Sequence, residues 1–105
     1  MRRLSFLING QSLAKDENCY FKGIVAGTEN YLECVFTFND EWSACKAKVV
    51  VFTMLDVERT VVIKNNKAMI PKDVLLYDNF TLFVAGSGNG KKIVTNSVVV
   101  EQERS

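Results

Sequence analysis

FTFNDEWSACKAKVVVF, Phe36 to Phe52, reads as two apolar strands joined through the only tryptophan, Trp42. Its first limb belongs to a longer run from Tyr31 to Phe38, in which Leu32, Cys34, Phe36 and Phe38 are apolar while Glu33 and Thr37 separate them. Side chains on a strand alternate between faces with period two, so this spacing predicts a half-buried strand; a helix would place its apolar positions three or four apart. Leu4, Phe6 and Ile8 repeat the alternation. Runs rich in β-branched and aromatic residues at Cys19 to Ala26, Cys45 to Met54, Arg59 to Lys64, Phe80 to Ala85 and Ile93 to Gln102 extend the pattern to about seven strands.

The stretches between these runs carry turn chemistry. Asn9-Gly10, Gly27 to Asn30, Asn39 to Glu41, Asn65-Asn66 and Gly86 to Gly90 contain residue types that accept positive φ or form Asx turns. Strands punctuated in this way at ~8 to 12-residue spacing predict an all-β sandwich or barrel. Pro71 holds Ile70 extended and cannot donate to a ladder, so Ile70 to Leu76 is expected to be a single turn crossing between two sheets. At 105 residues the chain has the length of one domain, expected to span 1–105.

Composition removes several classes of function. With 48% hydrophobic and 24% charged residues the chain lies in the folded, globular range. Thirteen Lys and Arg against twelve Asp and Glu leave a net charge of +1 and no basic cluster, so nucleic acid is not an expected partner. MRRLSFLING imitates a secretory leader, but its apolar stretch ends at Ile8, short of the ~7 to 15 residues such a leader needs, and a first strand explains it better. Nothing approaches a membrane span of ~18 apolar residues, so no membrane partner is expected and the Asn79-Phe80-Thr81 triplet is read as coincidental. Cys19, Cys34 and Cys45 are an odd set without CxxC spacing; free thiols in a reducing compartment are the expectation, with a Cys19–Cys34 or Cys34–Cys45 bridge as the alternative.

The search for chemistry finds no catalytic, metal or cofactor signature. There is no histidine, which removes the commonest general base, the commonest metal ligand and every Ser-His or Cys-His nucleophile. The carboxylates are scattered through turns or sit beside lysines. GSGNGKK, Gly86 to Lys92, has the wrong spacing for a phosphate loop, carries Lys92 where a hydroxyl is required, and leads into a strand instead of a helix.

Two features point to contact surfaces. Trp42 admits two readings, a core plug at one end of the sandwich or, with Tyr31, an exposed stacking platform for a sugar. Tyr77 is a candidate corner tyrosine bonding back to the chain. Several strands are apolar on both faces: Val49 and Val51 against Val50 and Phe52, Val61 and Ile63 against Val62, Phe80, Leu82 and Val84 against Phe83 and Ala85, and Val98 and Val100 against Val99. A two-layer sandwich buries only one face of each strand, so Val50, Phe52, Val62, Phe83 and Val99, or their neighbours, are expected to form an exposed patch that drives self-association.

The blocks FTFNDEWSACKAKVVVF, MIPKDVLLYDNFTLFVAGSG and IVTNSVVVEQ, taken in order, resemble short immunoglobulin-like β-sandwich proteins encoded among the tail and baseplate genes of phages and prophages of low-GC Gram-positive bacteria. The likeness runs through Phe38, Trp42, Ile70, Pro71, Val74, Leu75, Phe80, Leu82, Val84, Gly86, Thr95, Asn96 and Val98; these are packing and turn residues, and the N-terminal half fits more loosely. The resemblance implies an immunoglobulin-like antiparallel sandwich. It also implies a non-enzymatic tail or baseplate module that contacts copies of itself and other phage structural proteins. Such a protein is expected in the host cytoplasm during assembly and then in the virion. In larger relatives the module continues into receptor-facing parts, which are not expected here. A carbohydrate-binding sandwich and a capsid decoration or head-fibre protein are the alternatives.

Overall fold

A computed structural model describes residues 1–104, and among them nine strands form two sheets. The strands are β1 (Arg2–Asn9), β2 (Ser12–Lys15), β3 (Leu32–Phe38), β4 (Ala47–Met54), β5 (Val57–Val62), β6 (Lys67–Met69), β7 (Phe80–Gly88), β8 (Lys91–Val94) and β9 (Val98–Val100). One sheet has the order β2-β1-β3-β6; the other has five strands, β5-β4-β7-β8, with β9 pairing on β7 beside β8. Every ladder between these strands is antiparallel except β1 with β3, which runs parallel from Arg2 opposite Leu32 to Ile8 opposite Phe38.

The alternation read in the sequence is what joins the layers. Leu4, Phe6 and Ile8 of β1 and Leu32, Cys34 and Phe36 of β3 meet Val50, Phe52 and Met54 of β4 and Phe80, Leu82 and Val84 of β7 in one buried cluster. Each large apolar side chain so enclosed stabilises the fold by about 1.5–3 kcal/mol. Aromatic rings run along the first sheet, Phe6 to Phe36 at 5.7 Å, Phe36 to Phe38 at 6.1 Å and Phe38 to Trp42 at 5.1 Å between centroids. Trp42 ends a short 3-10 turn, Asp40–Trp42, that carries the chain from one sheet to the other; a second such turn, Lys72–Val74, follows Pro71.

Four elements depart from the sequence reading. Cys19 to Ala26 is not a strand: Arg2 takes over the pairing, its guanidinium donating to the carbonyls of Tyr20 (3.0 Å), Lys22 (2.6 Å) and Gly23 (3.2 Å), and Gly23 has a φ of +73°. Only Val25 makes a bridge there, to Glu103. β2 and β6 each bury a single side chain, Leu13 and Ala68, so neither has a periodicity to read. The run from Ile93 to Gln102 is two strands because Thr95 and Asn96 replace ladder bonds with side-chain ones. Val84 N–H donates to Thr95 Oγ1 at 3.0 Å; Leu13 N–H donates to Asn96 Oδ1 at 2.8 Å, and Asn96 Nδ2 donates to the Leu13 carbonyl at 3.1 Å. Asn96 thereby ties β2 of one sheet to the chain between β8 and β9 of the other.

Candidate functional site

Strand register decides which apolar residues face outward. On β4 the inward positions are Val50, Phe52 and Met54, so Val49, Val51 and Thr53 point away from the other sheet. Val49 lies in a row between Val62 of β5 and Ala85 of β7, which is followed by Val94 of β8. Val51 lies between Thr60 and Phe83, and Thr53 between Glu58 and Thr81, with Val99 next to Thr81. The outer face of this sheet is therefore a grid of valines, Phe83, alanine and threonine, without a charge in its two central rows.

The middle of that grid is a shallow hollow of about 350 Å³, lined by Ala47, Val49 and Val51 on β4 and by Phe83, Ala85, Gly86 and Ser87 on β7, with Thr60 on one side and Lys92 and Val94 on the other. Val51 is only 8% exposed yet lies outside the core cluster; its cross-strand neighbours on the outer face enclose it. Val62 and Val99 stand proud at 58% and 49% exposed. Charge is segregated to the two ends of the strands. Asp56, Glu58 and Glu101 lie at the Met54 end of β4, while Lys46, Lys64 and Lys92 lie at its Ala47 end, all of them exposed; Arg59, also at the Met54 end, is on the opposite phase of β5 and is paired with Asp73 at 2.9 Å.

Of the five residues expected outside, Val50 and Phe52 are in fact core residues, fully buried opposite Val84 and Leu82. Both phases of VVVF are apolar, so alternation alone could not choose between them. Gly86 chooses. It shares the inward phase of β7 with Val84 and Leu82, and a side chain there would meet the Trp42 ring at 2.7 Å. A lone glycine in a strand marks such a close approach, and this was the available signal for the phase. Val62 and Val99 are exposed and Phe83 is half-buried on the outer face, while Val49, Val51, Ala85 and Val94 complete the patch.

Trp42 is not a stacking platform. It is 0% exposed, with Nε1 donating to the Gly10 carbonyl at 2.8 Å and its ring filling the space above Gly86. Tyr31 is 49% exposed but precedes β3, at the opposite end of that strand from Trp42, so the two rings form no common surface. Tyr77 is also exposed, and the corner it was expected to tie is held by Gln102, whose Nε2 donates to the carbonyls of Val74 (3.1 Å) and Asp78.

The remaining reactive groups do not converge. No disulfide joins the three thiols among the described residues, and burial, with Glu33 adding repulsion, pushes the Cys34 thiol well above the ordinary thiol range. Among the described residues there is no group of three Cys, Asp or Glu side chains placed to hold a metal ion, and no helix long and apolar enough to cross a membrane. A second hollow of about 400 Å³, between Gln11, Glu41, Lys91, Lys92 and Ile93, is open and polar and carries charges of both signs on its rim. Comparison of this chain with known protein families, with curated proteins and with solved structures finds no match.

Proposed function

We propose that this chain is a non-enzymatic, immunoglobulin-like β-sandwich module of phage or prophage origin, a tail or baseplate component that works by protein–protein contact. The observation that carries the reading is the outer face of the β4–β7 sheet. The largest contiguous apolar patch of a soluble protein is often functional, and an uncharged sheet face of this kind is a candidate contact surface. The order β5-β4-β7-β8, with β3 antiparallel to β6, supports the immunoglobulin-like part, since it follows the C′-C-F-G and B-E neighbours of such sandwiches. The parallel β1–β3 pairing is this chain's departure from that plan. Viral origin rests on the resemblance of the Trp42, Pro71 and Thr95-Asn96 blocks. A capsid decoration or head-fibre role has the same architecture and differs in where the protein would be found, whereas the sugar-binding reading loses its platform with Trp42 buried.

Antibody detection in particles separated after induction of a lysogen carrying the gene tests this. The protein is expected in tail-containing particles. Its restriction to tailless heads would favour decoration, and its absence from every particle fraction would overturn the viral reading.

A further inference from the structure

We infer that the outer face of the β4–β7 sheet pairs with the same face of a second copy, about a twofold axis that lies between the two sheets and runs across the strands. The inference rests on the reading of this face as a contact surface and adds its occupant and orientation.

Area comes first. Four strands at ~4.8 Å spacing and about seven residues at ~3.3 Å each give a footprint of ~450 Å² per copy, or about 900 Å² over two copies before side-chain relief is counted. That lies just below the roughly 1,000 Å² that specific interfaces clear, in the range of weak, reversible contacts. Sheet-on-sheet packing is also the arrangement these residues already use on their inner face: β-branched and aromatic side chains stand out from a pleated surface and interdigitate with another like it.

Charge then selects the partner and its orientation. The acidic end of the face, with Glu58 and Glu101, and the basic end, with Lys64 and Lys92, are separated by the length of the strands. A twofold axis running across the strands lays the acidic end of each copy over the basic end of the other. One running along them would instead lay lysine over lysine and carboxylate over carboxylate. The face is thus its own electrostatic complement in one orientation only, the condition an isologous dimer must satisfy. The apolar middle rows, centred on Val51 and Phe83, meet their own copies at the axis in either case; the charges specify direction.

Sedimentation velocity and light scattering on the purified full chain at tens of micromolar decide it. The wild type is expected to be dimeric, with dissociation in the micromolar range for so small an interface. Phe83→Asp should be monomeric with unchanged circular dichroism and a melting temperature that, unlike the wild type's, does not depend on protein concentration. Two charge variants, made only at exposed positions, test the orientation: Lys64→Glu with Lys92→Glu makes both ends acidic, and Glu58→Lys with Glu101→Lys makes both ends basic. Each alone should dissociate at least about tenfold more readily than the wild type, and an equimolar mixture should regain dimers containing one copy of each, counted by native mass spectrometry. A monomeric wild type, or a dimer indifferent to Phe83→Asp, overturns the pairing; charge variants that self-associate like the wild type overturn its orientation. If the wild type is monomeric, is nonetheless found in particles, and loses that location on Phe83→Asp, the self-pairing alone falls and the face belongs to another viral protein. A dimer absent from all particles overturns only the viral origin.

Discussion

Gly86→Ala should cost this protein about 1–2 kcal/mol, although nothing in its backbone forbids an alanine. Gly86 has no positive φ, and in a backbone that alanine adopts freely the exchange normally stabilises by about 0.4–1 kcal/mol. Here the added methyl would sit 2.7 Å from Trp42 Cζ3 and 3.0 Å from both Trp42 Cε3 and Cys45 Sγ. The indole cannot retreat, because it is fully buried, packed at a tilt against Phe38 and tethered to the Gly10 carbonyl. Forcing one methyl into so tight a core typically costs about 1–3 kcal/mol. Trp42→Leu removes the obstructing ring at its own cost of about 3 kcal/mol, from lost burial and the stranded Gly10 carbonyl. In the double variant the alanine methyl occupies part of the space the ring vacated, so its loss should fall short of the sum by about 1–2 kcal/mol. Urea denaturation of the four proteins, read as midpoint times slope, measures the cycle. Additivity within about 0.3 kcal/mol, or a Gly86→Ala protein as stable as the wild type, would refute the claim that this glycine exists to seat Trp42.

Three further outcomes follow from local geometry. Leu55 turns the chain between β4 and β5 at φ 53° while its side chain is exposed, so Leu55→Asn should raise stability by about 0.5–1 kcal/mol; an unchanged or lower urea midpoint would argue against strain at this turn. Asn96→Ala removes both side-chain bonds to the Leu13 backbone and should cost about 2 kcal/mol with the denaturant slope unchanged, and a cost under about 0.5 kcal/mol would mean the tie between sheets is dispensable. Cys34 keeps its proton in the folded state because burial, and secondarily Glu33, raises its pKa, whereas the unfolded chain releases the proton in the ordinary thiol range. The unfolded state then binds fewer protons, so stability is constant below that range and declines as pH climbs above about 8.5, with a slope approaching ~1.4 kcal/mol per unit. Cys34→Ala should lack this component, and parallel stability profiles for the two proteins would contradict it.

Period-two runs at Leu4 to Ile8, Tyr31 to Phe38, Cys45 to Met54 and Phe80 to Ala85 were legible as strands, and with the Asn and Gly turns they determined a two-layer β-protein, because alternation is a local property that each segment carries in its own side chains. The sequence likewise held the surplus of apolar residues beyond what one buried face can use. What it could not decide was phase and partnership. VVVF is apolar in both registers; in the folded chain Val50 and Phe52 share the inward phase with Met54, on the face where Gly86 of β7 seats Trp42, and Val49 and Val51 are left outside. Cys19 to Ala26 looked like a strand in composition, but it lost its ladder to the guanidinium of Arg2, about twenty residues upstream, a competition visible only once the chain is folded. The segregation of lysines to one end of the outer face and carboxylates to the other is tertiary for the same reason: Glu58, Glu101, Lys64 and Lys92 are scattered through the sequence, and antiparallel register alone sorts them to opposite ends.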